Sequence, residues 1–417
     1  MRQDYTLINK KIKGSLFGGA IGDALGYPVE FLSENEIKQK YGKDGITQYQ
    51  LTKKGVAEIS DDTQMSLFTA NGMLSADSTG FDRKPHGTYA DIWQAYCNWY
   101  QTQKYISPFH STSWLTQIPK MCSRRAPGNT CMSALEVMDR GERVENNSKG
   151  CGGIMRVAPL ATYTYRHYKH TSVKEVIGRS AYIAYHTHHH PLGFLPAGAL
   201  GGIIYKLMER DGSKEPLDLK QVTDGVMRIL PDVQDIHMTK QTYGEHYSEQ
   251  IRELYKITDK AFELAERNDI SETEAIKEIG EGWTAEETLA IALYCCAKHP
   301  NDFDKAVISS VNHSGDSDST GAVTGNIMGA YLSMDGISDK WLENLELKEV
   351  INEIADDLGA NCPLEYGKPL DGTEEKRRWK TKYIDCNPYV NISKANKLRS
   401  FVTDFRLVAS EIIDYIR

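Results

Sequence analysis

Two acidic clusters lie far apart in the 417-residue chain, Ser60-Asp61-Asp62 and Asp316-Ser317-Asp318-Ser319. Each opens a segment in which Ala, Leu and Ile recur at helical spacing. Taken singly, acidic residues at a helix start cap free N–H groups and complement the helix dipole. Ser60 or Asp61 suits the cap position of the first segment. The second cluster also matches the opening of a calcium EF-hand loop, D-x-D-x-x-G. That reading fails at the twelfth position, where Ile327 stands in place of a bidentate glutamate. Polarity ends at Gly321, so Asp316, Asp318 and Ser319 cannot enclose an ion unaided. Asp61 and Asp62 offer the same hard oxygen donors, as does Glu30 at the end of GDALGYPVEF. Oxygen donors without His or Cys favour Mg²⁺, with Mn²⁺ as a close substitute. Converging carboxylates repel, and two divalent ions about 3.5–4 Å apart would neutralise them, orient substrate oxygens and activate a water. A two-metal hydrolytic centre is the expected chemistry.

The elements that must bring these clusters together are helices. Helical spacing recurs over residues 14–25, 62–74, 90–102, 174–185, 195–208, 285–298 and 320–333, whereas alternating strand-like runs are scarce. An all-α fold is expected, with residues 1–343 forming one large bundle. AEETLAIALYCCAKH is apolar nearly all round, the mark of a central covered helix. Gly14, Gly18, Gly22 and Gly26 recur every four residues, as do Gly321, Gly325 and Gly329. A helical glycine costs about 1 kcal/mol relative to alanine, so such a stripe calls for a close approach of backbone or ligand. Both striped helices are expected at the crowded centre, against each other. The polar stretches 209–219 and 232–257 read as surface insertions. Residues 344–417 read as a C-terminal extension packed on the core, with a last helix near 394–416.

A 40% hydrophobic, 25% charged composition fits a soluble globular protein, and a net charge of −8 argues against nonspecific nucleic-acid binding. No stretch approaches the roughly 20 apolar residues of a membrane-spanning helix, and MRQDYTLINKKIKGS lacks an apolar signal core. No membrane association is expected, and cytoplasm is the expected location. The eight cysteines show no CxxC spacing and read as reduced, mostly buried thiols.

Five segments resemble, in their order, those of the ADP-ribosylglycohydrolases. They are GSLFGGAIGDALGYPVEF, SDDTQM, GCGGIMRVAPLA, Thr187-His188 in HTHHHPLG, and NHSGDSDSTGAVTGNIMGA, spread over residues 10–335. The resemblance implies an orthogonal all-helical bundle with two Mg²⁺ or Mn²⁺ ions that cleaves ADP-ribose from an acceptor. By motif, it implies Ser60, Asp61, Asp62, Asp316, Asp318 and Ser319 as metal ligands. Glu30, Asp61 and Asp316 would form the catalytic centre, with Glu30 acting on the water or gating the site. In GCGGIMR the N–H groups of Gly150, Cys151, Gly152 and Gly153 could face a diphosphate; Arg156 could equally tie helices together. Cys151 and Ser314 depart from the family's usual Asn and Gly, which puts local ligand contacts in doubt. His188 would contact ribose or phosphate, although His186, His188, His189 and His190 also read as structural and point too many ways for zinc. Trp283 could wall an adenine by stacking or simply pack a helix start.

The expected reaction is hydrolysis at the anomeric carbon of the distal ribose through an oxocarbenium-like transition state. Arginine-linked ADP-ribose on a protein is the first expected substrate. Serine-linked ADP-ribose, O-acetyl-ADP-ribose, modified nucleic acid and non-catalytic binding are the alternatives. The insertions and extension could dock a toxin or modified target.

Overall fold

The computed structural model describes residues 5–79, 87–105, 107–210, 218–233, 243–364 and 372–388. Within them the chain is helical, and no strand forms beyond isolated bridges. The helices begin with α1 (Tyr5–Gly26), α2 (Glu34–Tyr41), α3 (Asp61–Thr79), α4 (Gly87–Lys104) and α5 (Asn129–Asp139). They continue with α6 (Ala158–His167), α7 (Val173–Tyr185), α8 (Pro191–Met208), α9 (Leu219–Met227), α10 (Glu245–Glu266) and α11 (Glu272–Ile279). The last are α12 (Ala285–Lys298), α13 (Phe303–Val311), α14 (Ser317–Leu332), α15 (Lys348–Gly359) and α16 (Glu374–Tyr383).

The centre is the antiparallel pair α1 and α14, and glycine is what lets it form. A Cβ on Gly14, Gly18 or Gly22 would run into the backbone of Gly329, Gly325 or Gly321 respectively, and each opposing glycine would collide in return. The expected contact between the two stripes is therefore real, with backbone against backbone. Around this pair, α12 is buried from Thr288 to Cys296, as its all-round apolarity predicted. Helix α8 is long and apolar enough by length and composition to cross a membrane, but 94% of it is buried inside the bundle. All eight cysteines are unpaired.

One sequence reading needs adjustment. Residues 232–257 are not simply a surface insertion. Their second half is the first part of α10, which places Tyr247, Ile251 and Leu254 in the core. Its charged outer face hid that amphipathic stripe. Residues 234–242 lie outside the described set, as do 211–217. In the C-terminal segment, Ile351, Ile354 and Leu358 of α15 and Trp379 and Tyr383 of α16 join the main core. Asp357 and Lys382, both wholly buried, pair there; Arg378 and the Tyr383 hydroxyl each reach Asp357 at 2.6 Å. The helix expected near 394–416 lies outside the described residues.

Candidate active site

The antiparallel pairing brings the C-terminal end of α1 to the start of α14, where Gly26 touches the backbone of Ser317 and Asp318. One short 3-10 turn later, Tyr27–Val29, the chain reaches Glu30. The two acidic clusters meet here. Asp316 caps α14, its Oδ1 accepting from the Ser319 N–H at 3.2 Å. Asp318 accepts from the same N–H at 3.0 Å. At the opposing helix start, the Ser60 hydroxyl accepts from the Asp62 N–H at 3.2 Å, so Ser60 is the cap of α3. The Asp61 N–H donates to the Arg125 carbonyl (3.0 Å), and Asp61 Oδ2 accepts from the Gly128 N–H (3.3 Å). The Ser319 hydroxyl lies against Asp62, joining the two helix starts directly.

All of these side chains are buried, and their carboxyl groups act on one another. Burial, followed by the charges of Asp316, Asp61 and Asp23, pushes the Glu30 carboxyl up to about 9. Burial also holds Asp61, Asp62 and Asp318 well above the usual carboxylate range, with their acidic neighbours adding to the shift. Arg125, whose carbonyl meets Asp61, directs its guanidinium to Glu58 (2.8 Å) and Glu346 (3.1 Å) instead. Glu30 Oε2 and Asp62 Oδ2 are buried without a hydrogen-bond partner. Orphaned carboxylate oxygens inside a cation-poor acidic cluster fit a cationic ligand. Among the described residues, no group of three or more His, Cys, Asp or Glu already stands at coordinating spacing. The donors are gathered but splayed.

Two residues escaped the sequence reading. Asp23 on α1 is wholly buried, and burial raises it to about 6. Its carboxylate accepts from the Ser60 N–H at 2.8 Å, the Thr63 N–H at 3.1 Å and the Thr63 hydroxyl. A single aspartate inside a Gly/Ala-rich buried helix was the available signal. Phe31, 71% exposed, stacks on Trp283, 39% exposed, at 5.8 Å between ring centres and 21° between planes. Trp283 is thus partly exposed and packed on Phe31, the residue after Glu30, and it follows Gly282, which lies against Asp316.

The Gly-rich turn lines the same centre through Cys151. Its thiol donates to Asp316 Oδ2 at 2.6 Å and lies near Ser319. Burial, then Asp316, pushes the thiol well above its ordinary value. A thiol held protonated by a carboxylate is the reverse of an activated nucleophile. Two of the expected anion donors are already occupied. The Cys151 N–H donates to the Trp283 carbonyl (3.2 Å) and the Gly150 N–H to Ser148 Oγ (3.3 Å). Gly152 packs against Cys131 and His188, and Gly153 against Ala184 and Gly193. Arg156 ties helices together: it lies over Tyr96 and donates to the Ile183 carbonyl (3.2 Å) and Thr187 Oγ1 (2.7 Å).

His188 shares a hydrogen bond with Thr187 Oγ1 (2.8 Å) and covers Gly150 and Gly152; burial pushes its pKa down to about 3. The other histidines part company. His186 bonds the Tyr182 carbonyl, His189 stacks on Tyr185, and His190 caps α8. Ser314 accepts from the Glu34 N–H at 2.9 Å and so anchors the start of α2.

Comparison with known proteins agrees with this architecture. Residues 4–367 match the family model described as ADP-ribosylglycohydrolase. The chain is 24% identical over 346 residues to the ADP-ribosyl-[dinitrogen reductase] glycohydrolase of Rhodospirillum rubrum, covering 82% of this chain and 92% of that one. It is 25% identical to the ADP-ribosylarginine hydrolase Tri1 of Serratia proteamaculans, covering 85% and 80%. With the human ADP-ribosylhydrolase ARH3 it shares 26% identity over 52% of this chain and 60% of that one. A solved structure described as an ADP-ribosylglycohydrolase-related protein complex superposes with a TM-score of 0.57 at 20% identity, covering 85% of this chain and 99% of that one, and shares the fold.

Proposed function

The chain belongs to the ADP-ribosylglycohydrolase family, and from that premise we propose that its acidic centre hydrolyses the bond joining ADP-ribose to a protein arginine. The observation that carries this reading is the meeting of Glu30, Asp61, Asp62, Asp316 and Asp318 in one buried cluster with orphaned oxygens on Glu30 and Asp62. Ser60, Asp61, Asp62, Asp316, Asp318 and Ser319 would hold two divalent cations, Mg²⁺ or Mn²⁺. Bound there, such ions supply neutralising charge and a hold on the ribose hydroxyls and the attacking water. Glu30 would take the proton of that water. Its burial among carboxylates keeps it protonated near neutral pH in the metal-free protein, so it accepts a proton only once the centre is neutralised. The Ser60 cap holds the first turn of α3, and Asp316 does the same for α14, so the candidate ligands on both helices start from fixed backbone positions.

Two features favour arginine as the acceptor. The Tri1 and dinitrogen-reductase relatives span most of this chain. The stacked, partly exposed Phe31 and Trp283 also offer aromatic surface suited to a planar cation, Phe31 being the residue after Glu30. The same face could instead stack the adenine. Gly150, Cys151, Gly152, Gly153 and His188 would form the wall nearest the ADP-ribose.

The test is product mass after incubation with ADP-ribosylated proteins. Arginine-modified protein with Mg²⁺ or Mn²⁺ should release intact ADP-ribose. Asp316→Asn should lower release to background while the helical circular dichroism stays unchanged. Full activity of that variant, or in excess chelator, overturns the two-metal reading. Release of AMP overturns glycosidic cleavage, and preference for serine-linked ADP-ribose overturns the arginine assignment.

A further inference from the structure

We propose that Asp23 is a positioning residue: its carboxylate sets the first turn of α3 so that Ser60, Asp61 and Asp62 face Asp316, Asp318 and Ser319. The inference rests on the metal-binding reading above. Both oxygens of Asp23 are engaged. Oδ1 accepts from the Ser60 N–H (2.8 Å), and Oδ2 accepts from the Thr63 N–H (3.1 Å) and the Thr63 hydroxyl. A wholly buried carboxylate that accepts from three donors at one helix start fixes both the axial position and the rotation of that start. It does so from the neighbouring residue to Gly22, which packs backbone to backbone on Gly321 of α14. Helix α1 therefore holds one ligand cluster through Asp23 and the other through its glycine face. The separation of the two clusters is set by one rigid element. With both oxygens committed to these donors, Asp23 orients ligands rather than serving as one.

Asn at this position keeps the volume but turns one oxygen into an NH₂ group that faces N–H or O–H donors. The test uses the full chain with Mn²⁺ alone as probe, counting free Mn²⁺ by electron paramagnetic resonance. Alongside it runs hydrogen–deuterium exchange of the segment holding Ser60–Thr63. Asp23→Asn should weaken Mn²⁺ binding about 10–100-fold, the range seen when a metal ligand's supporting partner is lost. It should also speed exchange at residues 60–63. Val226→Ala, in the core contact of α9 with α8, is the control for general destabilisation and should leave the Mn²⁺ titration unmoved. Wild-type Mn²⁺ affinity in Asp23→Asn overturns the proposal, as does unchanged exchange at residues 60–63. If Val226→Ala weakens Mn²⁺ as much, the effect is mere stability and the proposal also falls. A wild-type chain that binds no Mn²⁺ overturns the two-metal reading instead. The exchange result then still decides whether Asp23 fixes the α3 start.

Discussion

At the scale of single residues, Cys151 is informative because its side chain meets the acidic centre directly. Its thiol donates to Asp316 Oδ2, and burial, followed by the charge of Asp316, keeps it protonated. Ser in its place retains a donor of similar reach, so Cys151→Ser should keep most of the activity. Cys151→Ala leaves Asp316 Oδ2 without that donor in a buried site, a loss of about 1–3 kcal/mol when such a partner is removed. The measurable signs are a lower thermal midpoint without metal and a shift in Mn²⁺ dependence. A thiol of raised pKa should also react slowly with iodoacetamide at neutral pH compared with free cysteine. Rapid, stoichiometric labelling of Cys151 would contradict its protonated state. The metal-ligand candidates were readable in the sequence because each is local to a helix start, with cap, acid and hydroxyl within a single turn. Asp23 was not, because its partners lie at Ser60 and Thr63 in another helix. Phe31 was hidden for the same reason, since nothing near it in sequence names Trp283 as its stacking partner.

At the scale of elements, the glycine stripes were legible because a four-residue period survives without any tertiary knowledge. What the period could not give was the pairing: Gly18 with Gly325 and Gly22 with Gly321, in antiparallel register. This predicts a contrast between two glycines that both lie in helices. Gly325→Ala drives a Cβ into the Gly18 carbonyl and should destabilise the fold by about 1–3 kcal/mol or more, with weaker Mn²⁺ binding as the clusters separate. Gly225→Ala in α9 meets nothing within 4 Å and should stabilise by about 0.5–1 kcal/mol through helix propensity alone. Chemical denaturation of the two variants checks both signs. Helix α10 shows the opposite limit of sequence reading. Its buried Tyr247, Ile251 and Leu254 are spaced for a helix, but the intervening charge made the stretch look like an insertion. Amphipathic stripes at a bundle's edge are easily masked in this way.

At the scale of the whole molecule, the buried carboxylates and histidines make stability depend on pH in opposite directions. The buried imidazoles of His167 and His186 are pushed down to about 4, and His188 to about 3. Between those values and the ordinary histidine range near 6.5, the unfolded chain binds protons that the folded chain refuses, so stability rises with pH. Glu30 behaves inversely. Its folded value of about 9 lies above its unfolded 4.5, so through that window the folded chain holds a proton that the unfolded chain has released. Asp61, Asp62 and Asp318 are raised as well and add to the same trend. Above pH 6.5 the unfolded histidines lose their remaining protons, and the raised carboxylates dominate, with buried thiols such as Cys151 raised in the same sense. In chelator, the thermal midpoint should therefore fall as pH rises from about 6.5 to 9, the interval between the two sets of values. Saturating Mn²⁺ should remove or reverse that fall, because divalent ions compete with the protons these carboxylates hold. The increment in midpoint caused by Mn²⁺ should then grow with pH. A midpoint in chelator that is flat or rising over this interval would show that the acidic centre does not hold its protons in the folded chain. A metal increment independent of pH would show that the ions bind somewhere other than these carboxylates.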